Sequence, residues 1–175
     1  MRLSATGHRI VRTLLFLMIA AGVGLAIHKT RRTDEQLELT HYVEHDLRPL
    51  VLEEQSIAEA LSALFADKTL PPAAARHRLV DELNPRLIKL RRAAEALSPS
   101  TRTVRTLAAE YLRVVDAWTE AARTAVRAID EPTLSTEAGM VAVHERLADA
   151  ARASQLFSEH VVSTSRMHRL AGPQQ

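Results

Sequence analysis

The chain has no cysteine, five glycines and, among 175 residues, only three phenylalanines, two tyrosines and one tryptophan. Without cysteine there is no disulfide framework, no thiolate zinc site and no cysteine nucleophile. The glycines form no loop of the kind that cradles a phosphate. Charge of one sign is lacking too. The 23 Lys+Arg face 21 Asp+Glu for a net charge of +2, and arginines alternate with acids along the chain. A nucleic-acid footprint needs clustered basic residues, often with aromatics that stack on bases, so no nucleic-acid partner is expected. Beyond residue 33 no alternation of apolar and polar residues marks a strand.

What the chain does contain is one long apolar run and, after it, leucine and alanine at helical spacing. Between Arg12 and Lys29 no charged residue occurs. As a helix, residues 13–28 would extend about 24 Å at about 1.5 Å per residue, short of a hydrocarbon core about 30 Å thick. Ile10 and Val11 lengthen the run, and Arg12 and Lys29 reach the interfaces with their long side chains. The reading is a transmembrane signal anchor over 13–28 behind a short basic tail, 1–12. A cleaved signal peptide would use Gly24-Leu25-Ala26, but Lys29, Arg31 and Arg32 just beyond that site oppose export.

Basic residues tie across the run, with Arg2, Arg9 and Arg12 before it and Lys29, Arg31 and Arg32 after it, so the positive-inside rule does not orient it. The short leading tail favours an N-terminus inside and a body outside. The expected location is therefore the inner membrane of a bacterium, single-pass, with the body on the extracytoplasmic side. Ala20 with Gly24, and Gly22 with Ala26, are small-xxx-small pairs that let two spans approach, in keeping with a homodimer.

Residues 33–170 read as all-α, an antiparallel up-down-up-down four-helix bundle, with 171–175 as a C-terminal tail. Breakers fall in three clusters: Lys68-Thr69-Leu70-Pro71-Pro72, Ser98-Pro99-Ser100 and Asp130-Glu131-Pro132-Thr133. Proline suits a first helical turn, and Ser100 or Thr101, then Thr133 or Ser135, are candidate N-caps. Helices over 34–68, 73–97, 101–130 and 134–169 follow. Their inward positions alternate three and four apart, as in a bundle with short connections, except for two successive four-residue steps around Tyr111, a stutter that locally relaxes supercoiling. They are Val43, Leu47, Leu50, Ile57, Leu61 and Leu64, then Val80, Leu83, Leu87, Leu90, Ala94 and Leu97. The third helix has Val104, Leu107, Tyr111, Val115, Trp118, Ala122, Ala125 and Ile129, and the fourth Met140, Val143, Leu147, Ala150, Ser154, Phe157 and Val161. Pro49 and Pro85, inside helices, predict kinks that free the carbonyls of His45 and Asp81, with a break of the first helix at Pro49 as the alternative.

The segment LRPLVLEEQSIAEALSAL, Leu47 to Leu64, together with an apolar span before a long first helix, two shorter middle helices and a long returning fourth, resembles the four-helix-bundle sensor domains of bacterial chemoreceptors and sensor kinases. That resemblance implies small-ligand binding at or near a dimer interface, read out through a second membrane helix and a cytoplasmic module. Neither follows here before Ala171-Gly172-Pro173-Gln174-Gln175. A sensor-like accessory acting through a partner membrane receptor is thus expected; the alternative is a structural, coiled-coil-like scaffold component of a bacterial envelope assembly.

Few residues are placed for chemistry. Glu54 is the one acid on an inward heptad position, near the level of Asp116, Arg146 and Arg152, and is expected to be a partly exposed carboxylate paired with an arginine. His41 and His45, four apart, point outward. No metal, cofactor or catalytic constellation is expected, and the chain is read as no enzyme. Arg76, His77 and Arg78 open the second helix, where positive charge opposes the helix dipole. With Lys68, Arg123 and Arg127 nearby, Arg76, Arg78, Arg123 and Arg127 form a candidate anion site, with Asp67, Asp130 and Glu131 as acids able to neutralise it.

Overall fold

The computed structural model describes residues 34–67, 69–131 and 137–170. The chain divides into two compact units, Met1–Leu37 and Glu38–Gln175. The expected anchor at 13–28 lies outside the described residues, and among the described residues no helix is long and apolar enough to cross a membrane.

All regular structure among the described residues is helical, in four helices. Helix α1 covers 34–66 and includes a π-helical turn, Tyr42–Leu47, before its straight part, Arg48–Ala66. Helix α2 begins with Pro72–His77, passes through a second π turn, Arg78–Leu83, and ends with Asn84–Glu95. Helices α3, Arg102–Asp130, and α4, Glu137–Leu170, have no such interruption.

Side-chain pairs fix the helix directions. Arg76 meets Asp130 at 2.7 Å and Arg91 meets Asp116 at 2.8 Å, so α2 runs against α3. Glu38 lies at the start of α3 and Glu54 sixteen residues on meets Trp118, so α1 runs with α3. Glu110 meets His160 and Trp118 meets Ser154, so α4 runs against α3. The expected up-down-up-down order follows from these three relations. Among the described elements α3 and α4 make the most extensive contact, and Ala150 of α4 is fully buried.

The breaks fall where proline and polar clusters place them, with one change of capping partner. Pro71 is extended and Pro72 occupies the first turn of α2, where a missing N–H costs nothing. The Asp67 carboxylate accepts from the Thr69 amide at 2.9 Å and hydroxyl at 2.6 Å, and these bonds hold its carboxyl below the ordinary range. At the start of α3, neither Ser100 nor Thr101 supplies the expected side-chain cap. Glu38 of α1 does so instead, accepting from the amides of Ser100 and Thr101. Desolvation pushes the Glu38 carboxyl up, but the bonds from Thr101 and Ser100 together outweigh it and leave it below its usual value. The candidate caps Thr133 and Ser135 lie outside the described residues.

The two internal prolines produce π turns rather than simple kinks, and each turn moves the buried face by one residue. In α2 the Asn84 amide reaches back five residues to the Leu79 carbonyl, and Pro85 has no amide to donate. The Val80 and Asp81 carbonyls therefore lack the amides that an unbroken α-helix would give them. One extra residue per turn brings Leu79 into the core, fully buried, while Val80 is half-exposed. The same happens in α1, where Tyr42 is buried and Val43 only half-buried. Val43 and Val80 are thus corrected to Tyr42 and Leu79, both on the N-terminal side of a π turn. Downstream, Leu47, Ile57, Leu61, Leu83, Leu87 and Leu90 are buried at the expected positions.

Candidate functional site

Two polar constellations stand out against this apolar frame, one inside the bundle and one on its α2–α3 face. The inner one centres on Glu54, which is 5% exposed. Its Oε1 accepts from Trp118 Nε1–H at 3.0 Å and from the Ser154 hydroxyl. Trp118 Nε1 also lies 3.1 Å from Ser154 Oγ, so α1, α3 and α4 meet at one carboxylate. The expected arginine partner is replaced by neutral donors. Asp116 is taken by Arg91, while Arg146 and Arg152 turn to Asp149 at 3.8 and 3.7 Å.

Beside Glu54 lies Tyr111, fully buried, with its ring 5.3 Å from that of Phe157. Burial first, and then the neighbouring Glu54 carboxylate, push the Tyr111 phenol above its ordinary value. Tyr42 is pushed up as well, by burial and by Asp46. Neither hydroxyl meets hydrogen-bond geometry with a protein partner, and Thr164 Oγ1 is buried in the same condition.

The outer constellation is a groove of about 570 Å³ between α2 and α3. Leu79, Val80, Leu87 and Ile88 of α2 and Ala122 and Val126 of α3 form its apolar lining, and Arg91, Glu120, Arg123 and Arg127 stand among them. The α2 wall includes the π turn, a feature that often accompanies sites of function. Such a volume lies within the range of about 300–1,000 Å³ typical of small-molecule sites.

The four candidate arginines do not act as one cluster. Arg76 donates through Nε to Asp130 at 2.7 Å, and this bond raises its guanidinium further. Arg78 is exposed, with Asp67 as the carboxylate that feels its charge. Arg123 and Arg127 line the groove and share Glu120, at 3.9 and 2.7 Å. Lys68 lies outside the described residues. Arg91, which sequence reasoning did not single out, is held by Glu95 and Asp116, each at 2.8 Å.

Glu120 was not among the candidates either, although its signal is legible: Arg123 and Arg127 follow it three and seven residues on, one stripe of a helix. The Glu110–His160 pair, 2.6 Å apart between α3 and α4, could be found only with the helix register known. His41 and His45 are exposed, with ring centroids 5.0 Å apart, and His41 Nδ1 lies 3.4 Å from Asp46. Among the described residues no group of three His, Asp or Glu side chains is placed to hold a metal ion. Compared with family models, with curated proteins and with solved structures, the chain finds no match in any of the three.

Proposed function

We propose that the chain is a membrane-tethered binding module, a helical bundle on the extracytoplasmic side of the inner membrane that recognises a ligand and passes its state to a membrane partner. The observation that carries this reading is the α2–α3 groove: an apolar lining, guanidiniums among it and a π turn in its wall. A pocket with a few polar groups over an apolar floor is the usual form of a small-molecule site. The uncharged run between Arg12 and Lys29 supports the tether. Displacement of α2 against α3 is the mechanism, because the π turn supplies a place where α2 gives way. A homodimer through the span fits the same picture.

The absence of cysteine makes the test direct. Single-cysteine full-length chains, Ile88→Cys in the groove and Glu131→Cys at the far end of α3, are labelled with an impermeant maleimide in cells whose outer layer is permeabilised. Labelling of Glu131→Cys before lysis agrees with an extracytoplasmic bundle; labelling only after lysis contradicts it. A panel of small acids, amines and neutral compounds is then screened by thermal shift. The expected result is a compound that raises the melting temperature and slows labelling at Ile88→Cys but not at Glu131→Cys. Stabilisation without protection of Ile88→Cys contradicts the groove.

A second reading, a scaffold within an envelope assembly, draws on α4. Leu156 and Met167 are both exposed, at 59% and 61%, and lie about three turns apart on one stripe.

A further inference from the structure

On its α3 side the groove sets two guanidiniums, Arg123 and Arg127, against one carboxylate, Glu120. Arg91 is satisfied by Glu95 and Asp116. Arg123 and Arg127, in contrast, have one carboxylate between them, that of Glu120, and it holds them unequally: 2.7 Å to Arg127 and 3.9 Å to Arg123. All three side chains line the groove, and all are substantially exposed, at 44% for Glu120, 67% for Arg123 and 58% for Arg127. Exposed pairs of this kind are worth little and exchange readily. Glu120 therefore stands where an incoming anion would stand, between two guanidiniums, beside an apolar wall that includes the half-exposed Ile88.

Resting on the groove as the binding element, we infer that its ligand is an organic anion with an apolar body, whose carboxylate, sulfonate or phosphate takes the place of the Glu120 carboxylate on Arg123 and Arg127. The apolar body lies along Val80, Ile88 and Val126. The anionic group gains two charged donors, and guanidiniums receive a planar oxyanion in bidentate fashion. Glu120 is then an internal competitor that keeps the two arginines occupied while the groove is empty. An amine ligand would meet Arg123 and Arg127, and a fully apolar one would leave them unused. The volume of about 570 Å³ suits a bicyclic acid or a short acyl chain rather than a polymer.

The probe pair is 1-naphthylacetate and its neutral isostere 1-naphthylacetamide, which share a ring and differ in charge. Equilibrium dialysis uses the full chain in lipid nanodiscs, with empty nanodiscs to subtract uptake by lipid. The wild type is expected to bind the acid at least about tenfold more tightly than the amide, since one charged hydrogen bond accounts for about that much. Glu120→Gln, which keeps the shape and removes the competing charge, tightens the acid several-fold and leaves the amide unchanged. Arg123→Gln brings the acid down toward the amide.

Equal binding of the two probes, or a Glu120→Gln titration that superposes on the wild type, overturns the assignment of the anion while the groove remains a binding element. Binding of neither probe overturns the assignment, and the groove reading falls with it only if no compound of the thermal-shift panel protects Ile88→Cys. Melting curves of the two variants at wild-type temperature exclude loss of fold as the cause of a change.

Discussion

Glu54 and Glu120 are both held by side chains of α3, and they are held in opposite ways. Glu54 is buried, carries no arginine, and accepts from an indole and a hydroxyl on two different helices. Glu120 is exposed and sits between two guanidiniums of its own helix. Removing a partner from a buried acid leaves polar groups with nothing to replace it, whereas water and salt replace the partner of an exposed one. The difference separates a fastening from a latch. Neutral donors in the dry interior set the register of α1, α3 and α4, and charged donors on the wet face remain free to exchange.

The widest separation between the two regions is expected from truncating one donor in each. Trp118→Ala removes a large buried ring, and with it the donor to Glu54, for a loss of about 3–5 kcal/mol. Arg127→Ala changes stability by less than about 1 kcal/mol, as exposed ion pairs do. Urea unfolding of the full chain in nanodiscs measures both; equal losses would abolish the contrast.

Adjacent residues of the groove wall sharpen it next. Because the π turn buries Leu79 and leaves Val80 half-exposed, Leu79→Ala is expected to cost about 2–5 kcal/mol, the core range, and Val80→Ala under about 1.5 kcal/mol. The reverse order would mean that α2 runs as an unbroken α-helix. Glu54→Ala follows, at about 1–3 kcal/mol, the cost of leaving buried donors unpaired. Thermal unfolding that is unchanged in Glu54→Ala would remove Glu54 from its role in the register.

Acid tests a carboxylate between these extremes. The Glu38 carboxyl lies below its ordinary value of 4.5 in the folded chain. Its contribution is therefore complete above about that pH and fades as pH falls through the lowered folded value. The stability gap between wild type and Glu38→Gln is expected at pH 7 and should close in strong acid. A gap that widens on acidification contradicts the cap on α3. Smallest of all, Glu120→Gln is expected to move stability by under about 0.5 kcal/mol, as surface changes away from structural features do, even while it changes anion binding several-fold.

The helices were legible in the sequence because proline and polar clusters coincide with every break, and because buried positions from Leu83 to Ala94 and from Val104 to Ala125 keep the three-four spacing. The π turns were not. Proline at 49 and 85 announces a lost hydrogen bond, but it does not say whether the helix bends or takes in an extra residue, and only the second choice exchanges Val43 for Tyr42 and Val80 for Leu79. Inward placement of Glu54 was readable from its heptad position. Its partners were not, since Trp118 and Ser154 arrive only through the relative register of three helices. For the arginines, the stripe of Arg123 and Arg127 was visible, whereas the capture of Arg76 by Asp130, 54 residues away, depends on how α2 lies against α3.

Entry of an anion with an apolar body into the α2–α3 groove, in place of the Glu120 carboxylate, is what amide chemical-shift mapping reads directly. Isotope-labelled full chain in nanodiscs is titrated with 1-naphthylacetate, with 1-naphthylacetamide as the neutral reference. Shifts specific to the acid are expected to concentrate at 79–91 and 119–127, largest around Glu120 and Arg123, and to saturate. Acid-specific shifts that centre elsewhere, or a pattern identical for the two probes, would contradict it.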